Sequence, residues 1–144
     1  MSLKIIPTTL SHLQRLARIG REQWPHENWI TEAYLKITVA KKGIHYTALL
    51  NKAVVGSIMA VEEDYPKFWI HYLVVDKNYR RKGIGTALLK KIESKLAKGA
   101  FLLVDLEKND RTGLAFYKKN GFLIQGKVKN WFEGREGIIF GKKI

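Results

Sequence analysis

The run Arg80-Arg81-Lys82-Gly83-Ile84-Gly85-Thr86 carries the most specific chemistry in the chain. Three basic side chains lead into two glycines spaced two apart, and an amphipathic pattern follows, so the run opens a helix. Free main-chain N–H groups and the positive end of the helix dipole make an anion site at such a start. Glycine lets the backbone approach a ligand without a Cβ in the way. A diphosphate is the matching guest. Two other glycine loops fail on spelling. A P-loop needs Gly-Lys-Ser/Thr, and here Thr86 follows Gly85 directly. A dinucleotide-binding loop needs a third glycine, where Leu88 stands.

The elements that must hold this run follow from periodicity. Residues 83–98 predict the clearest helix, with Ile84, Leu88, Ile92 and Leu96 as its apolar stripe and Gly99 at its end. Phe68–Val75 before it reads as a strand whose last residues, Leu73-Val74-Val75, are apolar on both faces. Phe101–Leu106 after it reads as a buried strand. Together these make a β-α-β unit with parallel strands and a right-handed crossover. Earlier, Ile44–Leu50 and Ala53–Val61 predict an antiparallel pair joined by the turn Asn51-Lys52. Helices are expected near 8–20, with Leu10, Leu13, Ala17 and Gly20 on one face and a capping box at Ser11 and Gln14. A further helix is expected over 28–41, with Ile30, Ala33, Tyr34 and Ile37 as its stripe and Gly43 at its end. Asp110 is expected to cap a short helix to Lys119, closed by Asn120-Gly121. Strands at Phe122–Val128 and Gly137–Gly141 finish the chain. The expected fold is α/β (α+β): a mixed, mainly antiparallel central sheet with a β-α-β unit, flanked by helices, in one domain spanning 1–144.

Composition narrows the function. The 144 residues contain no Cys, which removes disulfides, thiolate metal sites and a covalent acyl-cysteine. No metal is expected. No apolar run approaches the ~20 residues needed to span a bilayer, and Met1-Ser2-Leu3-Lys4 lacks an apolar leader pattern. A cytoplasmic location without membrane contact is the default expectation. The net charge of +13 favours an anionic partner, whether a phosphorylated cofactor, an acidic surface or nucleic acid. Nucleic acid is the weaker reading, because helix-turn-helix spacing, zinc ligands and an RNP-type aromatic run are all missing.

Arg80, Gly83 and Gly85 fit the pattern Arg/Gln-x-x-Gly-x-Gly/Ala, preceded by Leu73-Val74-Val75-Asp76-Lys77-Asn78-Tyr79. Downstream, Asn109 or Asp110 and then Ala115-Phe116-Tyr117-Lys118-Lys119-Asn120-Gly121-Phe122 match "Asn…Ala…Tyr-x-x-x-Gly-Phe". On these two motifs the chain resembles the GNAT acetyltransferases, and its order of elements resembles theirs over nearly its whole length. Lys77 stands where the family often has Pro.

The resemblance implies an N-acetyltransferase that uses acetyl-CoA. Backbone amides from Arg81 to Thr86 (through Lys82, Gly83, Ile84 and Gly85) would hold the pyrophosphate. The strand edge at Leu73, Val74 and Val75 would pair with the pantetheine arm, and an N–H near Leu73 would polarise the thioester carbonyl. Asn109, Phe116 and Tyr117 would flank the arm, and Lys119 or another nearby Lys would meet the 3′-phosphate. Tyr117 is then the expected general acid for the departing thiolate. Several groups compete as general base: His71, Asp105, Glu22 and Glu27. Trp24, Glu22, Glu27 and Trp131 are expected around the acceptor, between the Trp24–Trp29 loop and the hairpin tip Asn130–Gly134. The implied reaction is direct attack by a neutral amine in a ternary complex, on a small molecule or a peptide. A homodimer is compatible with the resemblance. Two alternatives stand beside it: an acyl-CoA-binding relative without catalysis, and a basic nucleic-acid-binding module.

Overall fold

The computed structural model describes residues 2–144; Met1, part of the start considered above, lies outside the described residues. The elements in order are β1 (Leu3–Pro7), a short 3₁₀ turn (Leu10–His12), α1 (Leu13–Gln23), α2 (Glu32–Ala40), β2 (Gly43–Leu50), β3 (Ala53–Glu62) and β4 (Lys67–Val75). There follow a second 3₁₀ turn (Lys77–Tyr79), α3 (Ile84–Lys95), β5 (Phe101–Glu107), α4 (Arg111–Lys119), β6 (Leu123–Phe132) and β7 (Arg135–Lys143). Seven strands form one sheet in the order β1-β2-β3-β4-β5-β7-β6. Every neighbouring pair is antiparallel except β4 and β5, which run parallel as the β-α-β pattern requires.

Each face of the sheet has its own core. On one, Leu13, Leu16, Ala17 and Ile19 of α1 pack with Met59, Tyr72 and Val74. On the other, Ile84, Leu88, Leu89 and Ile92 of α3 join Ile58, Ile70, Leu102, Val104 and Phe140. The stripe Ile84, Leu88, Ile92 and Leu96 is buried as its spacing predicts, although the helix stops at Lys95. Burying each such side chain contributes about 1.5–3 kcal/mol before entropy is counted.

One extra residue in strand β4 changes which of its residues face which core. Ala60 pairs with Ile70 and Met59 with Tyr72, leaving His71 as a bulge. Phe68 and Ile70 therefore share a face with Leu73 and Val75, while Tyr72 and Val74 turn to α1. A strict alternation would have put Tyr72 beside Ile70.

The packing of α1 on Tyr72 leaves no room at Gly20. A Cβ there would sit 1.8 Å from the Tyr72 hydroxyl, which donates to Leu16 O at 2.8 Å. Gly20→Ala is expected to cost about 1–3 kcal/mol through overpacking, read as a lower urea midpoint with an unchanged slope.

Several local expectations are corrected. Strand β1 was not anticipated, because Leu3-Lys4-Ile5-Ile6 is short and ends on Pro7; it pairs with β2 from Leu3↔Leu50 to Pro7↔Tyr46. The first helix starts later, at Leu13, and Leu10 is 61% exposed. The capping residue is Thr9 rather than Ser11, and it caps the 3₁₀ turn that leads into α1, with the Thr9 N–H donating to His12 Nδ1 at 3.0 Å. The second helix begins only at Glu32, where the Thr31 hydroxyl accepts from Tyr34 N–H at 3.0 Å. That start turns Leu35 and Thr38 inward and leaves Ile37 61% exposed, so the expected stripe is not the buried one. Gly43 does not end this helix; it opens β2, where a Cβ would meet Ala60 O at 2.2 Å. Glu22 lies within the last turn of α1, not in the loop after it.

Candidate active site

The parallel pair β4–β5 runs in register only from Lys67↔Phe101 to Trp69↔Leu103. Beyond Trp69 the strands part, while β5 stays paired with β7 to its end. Main-chain groups alternate along a strand. Asp76 N–H donates to Val55 O at 2.7 Å on the β3 side, so the N–H and C=O of Leu73 and Val75 face the open edge. A slot between two strands, with the N–H and C=O of Leu73 and the N–H of Val75 unpaired on one wall and Val75 O held by Arg80, fits an extended chain of amides.

The slot leads to the start of α3. Gly83 caps this helix with φ +75°, and a Cβ on it would meet nothing within 4 Å. Arg81 also takes a left-handed φ, +64°. The first intrahelical bond in this turn is Ala87 N–H to Gly83 O, at 2.9 Å. The N–H groups of Ile84, Gly85 and Thr86 are therefore left for another acceptor. Gly85 has a different reason to be glycine: its Cβ would come within 3.2 Å of the Phe116 ring, so it sets the approach of α3 to α4. Arg81 and Lys82 are exposed. Arg80 is instead tied down, donating to Val75 O at 3.2 Å and Gln23 Oε1 at 3.3 Å.

A buried carboxylate holds the loop before this turn. Asp76 is 2% exposed, pairs with Arg15 of α1, and accepts from Asn78 N–H at 2.9 Å. It fastens the Arg80–Thr86 turn to the body of the fold, and sequence reading missed it. The signal was present as Asp-x-Asn directly after an apolar strand. Arg15 had no local signal, since its partner lies 61 positions away. Arg15→Ala, which strands a buried charge, is expected to cost about 2 kcal/mol and to weaken binding at the turn. Thermal unfolding with and without CoA reads both.

Tyr117, on α4, is 4% exposed and packs edge-on to Phe116 and Phe122 at 5.1 Å. Burial pushes its phenol far above the ordinary value, and the charges of Asp110 and Asp105 push the same way. The hydroxyl makes no hydrogen bond among the described residues and is not sealed off, since the one fully buried side-chain polar atom without a partner there is His45 Nδ1. It keeps its proton at any working pH, as a proton donor must. Asp110 itself is occupied in capping α4, accepting from Gly113 N–H at 2.9 Å. Asn109 and Lys119 lie exposed at the two ends of that helix.

The opposite mouth of the slot is lined by aromatic rings and carboxylates. Trp24 and Trp29 stack at 6.4 Å, Trp29 meets Tyr34 at 4.9 Å, and Trp24 meets Tyr72 at 6.0 Å. Trp29 Nε1 donates to Glu27 at 3.0 Å. From the hairpin, Trp131 Nε1 donates to Asp105 at 2.7 Å. Trp131 reaches there because Gly137 has no side chain: a Cβ would lie 2.6 Å from the Trp131 side chain. Arg135 binds Glu107 at 2.8 Å and Glu27 at 3.8 Å, bridging the α1–α2 loop to the hairpin. His71, on the bulge, pairs with Glu63 at 3.0 Å. Burial pushes the Tyr34 phenol up, and the charges of Asp105 and Glu63 push the same way.

The residues expected around an acceptor thus come together, apart from Glu22, which pairs with Arg18 at 3.5 Å on the outside of α1. Glu63, Tyr34, Glu107 and Arg135 join them without having been anticipated, because only the fold brings their four segments to one mouth.

The fold is matched among known proteins. The model of the acetyltransferase (GNAT) family matches residues 10–122. The chain belongs to the GNAT acetyltransferase family, whose co-substrate is acetyl-CoA. It is 31% identical over 93 residues to N-alpha-acetyltransferase 30 of Xenopus laevis, a stretch covering 60% of this chain and 34% of that protein. The chain therefore spans about a third of the length of this curated relative. Among solved structures it resembles Ard1 from Thermoplasma volcanium, with TM-score 0.87, 18% identity, and 100% and 99% of the two chains covered. It also resembles Arabidopsis thaliana Naa50 in complex with the bisubstrate analogue CoA-Ac-MVNAL, with TM-score 0.83, 23% identity and full coverage of both chains. The structural likenesses are of fold. No helix among the described residues is long and apolar enough to cross a membrane.

Proposed function

We propose that the chain transfers an acetyl group from acetyl-CoA to a primary amine, on a small molecule or a peptide, by direct attack in a ternary complex in the cytoplasm. One observation carries this reading: the β4–β5 slot, open from Leu73 to Val75, runs into the unpaired N–H groups at the Gly83 turn. These parts fit the two ends of one ligand, a pantetheine arm and a diphosphate. Acetyl-CoA supplies the activated acyl group.

The chain's own residues then divide the work. Ile84, Gly85 and Thr86 N–H groups, reinforced by Arg81 and Lys82, hold the diphosphate. Leu73 and Val75 pair with the arm as a neighbouring strand would. An N–H of this open edge holds the thioester oxygen as charge develops there. Tyr117 donates its proton to the sulfur that leaves. The acceptor enters from the mouth between the α1–α2 loop and the β6–β7 hairpin. It must arrive neutral, and a Lys-type amine with a reference pKa of about 10.4 needs a base. Asp105 and His71 both face that mouth and are the candidates for this step, directly or through water.

Calorimetric titration with acetyl-CoA, followed by thiol release against a panel of primary amines, tests the reading. Micromolar binding with turnover of at least one amine is expected. A folded protein that binds no acetyl-CoA overturns it, and binding without any turnover returns the chain to an acyl-CoA-binding role.

A further inference from the structure

A charged pair interrupts the apolar row that β7 turns to the helices. Ile138, Phe140 and Lys142 alternate onto one face of the sheet, opposite Leu106, Val104 and Leu102 of β5, and α3 and α4 cover that face. Ile138 and Phe140 belong to the core. Lys142, in the same row, is a cation only 28% exposed, and its partner Glu93 of α3 is 20% exposed. The ammonium donates to both Glu93 oxygens at 3.1 Å and to Asn120 O, at the end of α4, at 2.9 Å. Three acceptors thus match its three donors. Gly121, at φ +90°, folds the chain back over it, and a Cβ there would lie 3.4 Å from Lys142 Cε and Nζ. A charged pair at this depth adds little stability over an apolar one, because desolvation offsets its attraction. What it does add is one fixed geometry for β7, α3 and the end of α4.

Main-chain bonds carry this brace to Tyr117. Asn120, whose C=O Lys142 holds, donates its N–H to Tyr117 O and Phe116 O, both at 3.1 Å, and its Nδ2 to Phe116 O at 2.8 Å. Phe122 N–H donates to Tyr117 O at 3.0 Å, and its ring packs edge-on to the tyrosine. Phe116 in turn lies against Gly85 in the first turn of α3. The two helices are therefore joined twice: at Gly85 and Phe116, beside the diphosphate turn, and at Glu93, Lys142 and Asn120, away from it. Two joints fix a rotation that one would leave free. We infer that Lys142 is a positioning residue for the transfer reaction: held between Glu93 and Asn120 O, it sets the place of the Tyr117 hydroxyl relative to the start of α3. The inference rests on the N-acetyltransferase reading, with Tyr117 as proton donor, and deepens it. Lys142 does not line the slot, since it stands opposite Leu102, where β5 is still paired with β4.

The test is a double-mutant cycle on kcat between Lys142→Met and Tyr117→Phe, run with acetyl-CoA and an amine that the wild type acetylates. Acetyl-CoA affinity by calorimetry and the thermal midpoint are measured for every variant. Lys142→Met alone is expected to lower kcat about tenfold by displacing the phenol, with acetyl-CoA affinity held within about threefold. In the Tyr117→Phe background no proton donor is left to displace, and the same substitution is expected to change kcat by less than about twofold. An unchanged kcat in Lys142→Met, or an equal loss in both backgrounds, overturns the inference, because a lysine that only stabilises the fold lowers both rates alike. If Lys142→Met fails to fold with Glu93 left unpaired, the cycle is run with Glu93→Gln and Lys142→Met combined, which removes both charges and carries the same expectation. A full rate in Tyr117→Phe takes away the proton donor and this inference with it, while the acetyltransferase reading stands. A folded wild type that acetylates no amine removes both.

Discussion

Tyr117→Phe is expected to lower kcat about a hundredfold while leaving acetyl-CoA affinity within about twofold. The change removes one oxygen from a ring that keeps its packing against Phe116 and Phe122. That oxygen holds no hydrogen bond among the described residues, so its loss leaves no buried partner there unsatisfied. Stability should therefore stay level or rise slightly. Any fall in rate then belongs to the reaction and not to the fold. The proton is retained because burial and the neighbouring Asp110 and Asp105 charges all oppose the phenolate. The phenol thus holds its proton beyond the ordinary tyrosine range, and the basic limb of a pH–rate profile should not report it. Single-turnover thiol release is the measurement. An undiminished rate there would remove Tyr117 from the role of general acid.

Gly83→Glu is expected to weaken acetyl-CoA binding a hundredfold or more. Two effects act together. A side chain at φ +75° is strained, at roughly 1 kcal/mol. A carboxylate at the helix start also takes the N–H groups and the dipole end that a diphosphate would use. Nothing lies within 4 Å of the new Cβ, so the helix itself has room for the change. The variant should unfold close to the wild-type temperature without ligand and lose the rise that acetyl-CoA gives the wild type. Retained affinity would move the diphosphate away from this turn.

The sequence made some features plain and hid others for physical reasons. The apolar stripe of α3 was readable because a helix buried on one face must repeat every three to four residues. The turn at Asn51-Lys52 was readable too: both residues take positive φ, 50° and 72°, as a two-residue hairpin demands. The parallel β4–β5 pair followed from the helix between them. What spacing does not encode is contact between distant segments. Arg15 meets Asp76, Trp131 meets Asp105, and Arg135 joins Glu107 to Glu27 only after the sheet has formed. The α2 stripe failed for a related reason. With nine residues and a weak pattern, the helix is oriented by its Thr31 cap and its neighbours more than by its own apolar positions. The two glycines of the turn before α3 look alike in the sequence, and the structure tells them apart. Gly83 answers a backbone angle, whereas Gly85 answers the Phe116 ring.

The bulge at His71 has a consequence for how this architecture tolerates change. A regular ladder can slide by two residues and keep every side chain on its proper face. A ladder with one unmatched residue cannot, because the mismatch would have to travel along the strand with it. His71 therefore acts as a fixed zero mark on β4, and the open positions at Leu73 and Val75 lie at set counts from it. Loops at either mouth can lengthen, shorten or change their charge, and the scale against which a thioester would be positioned stays where it is.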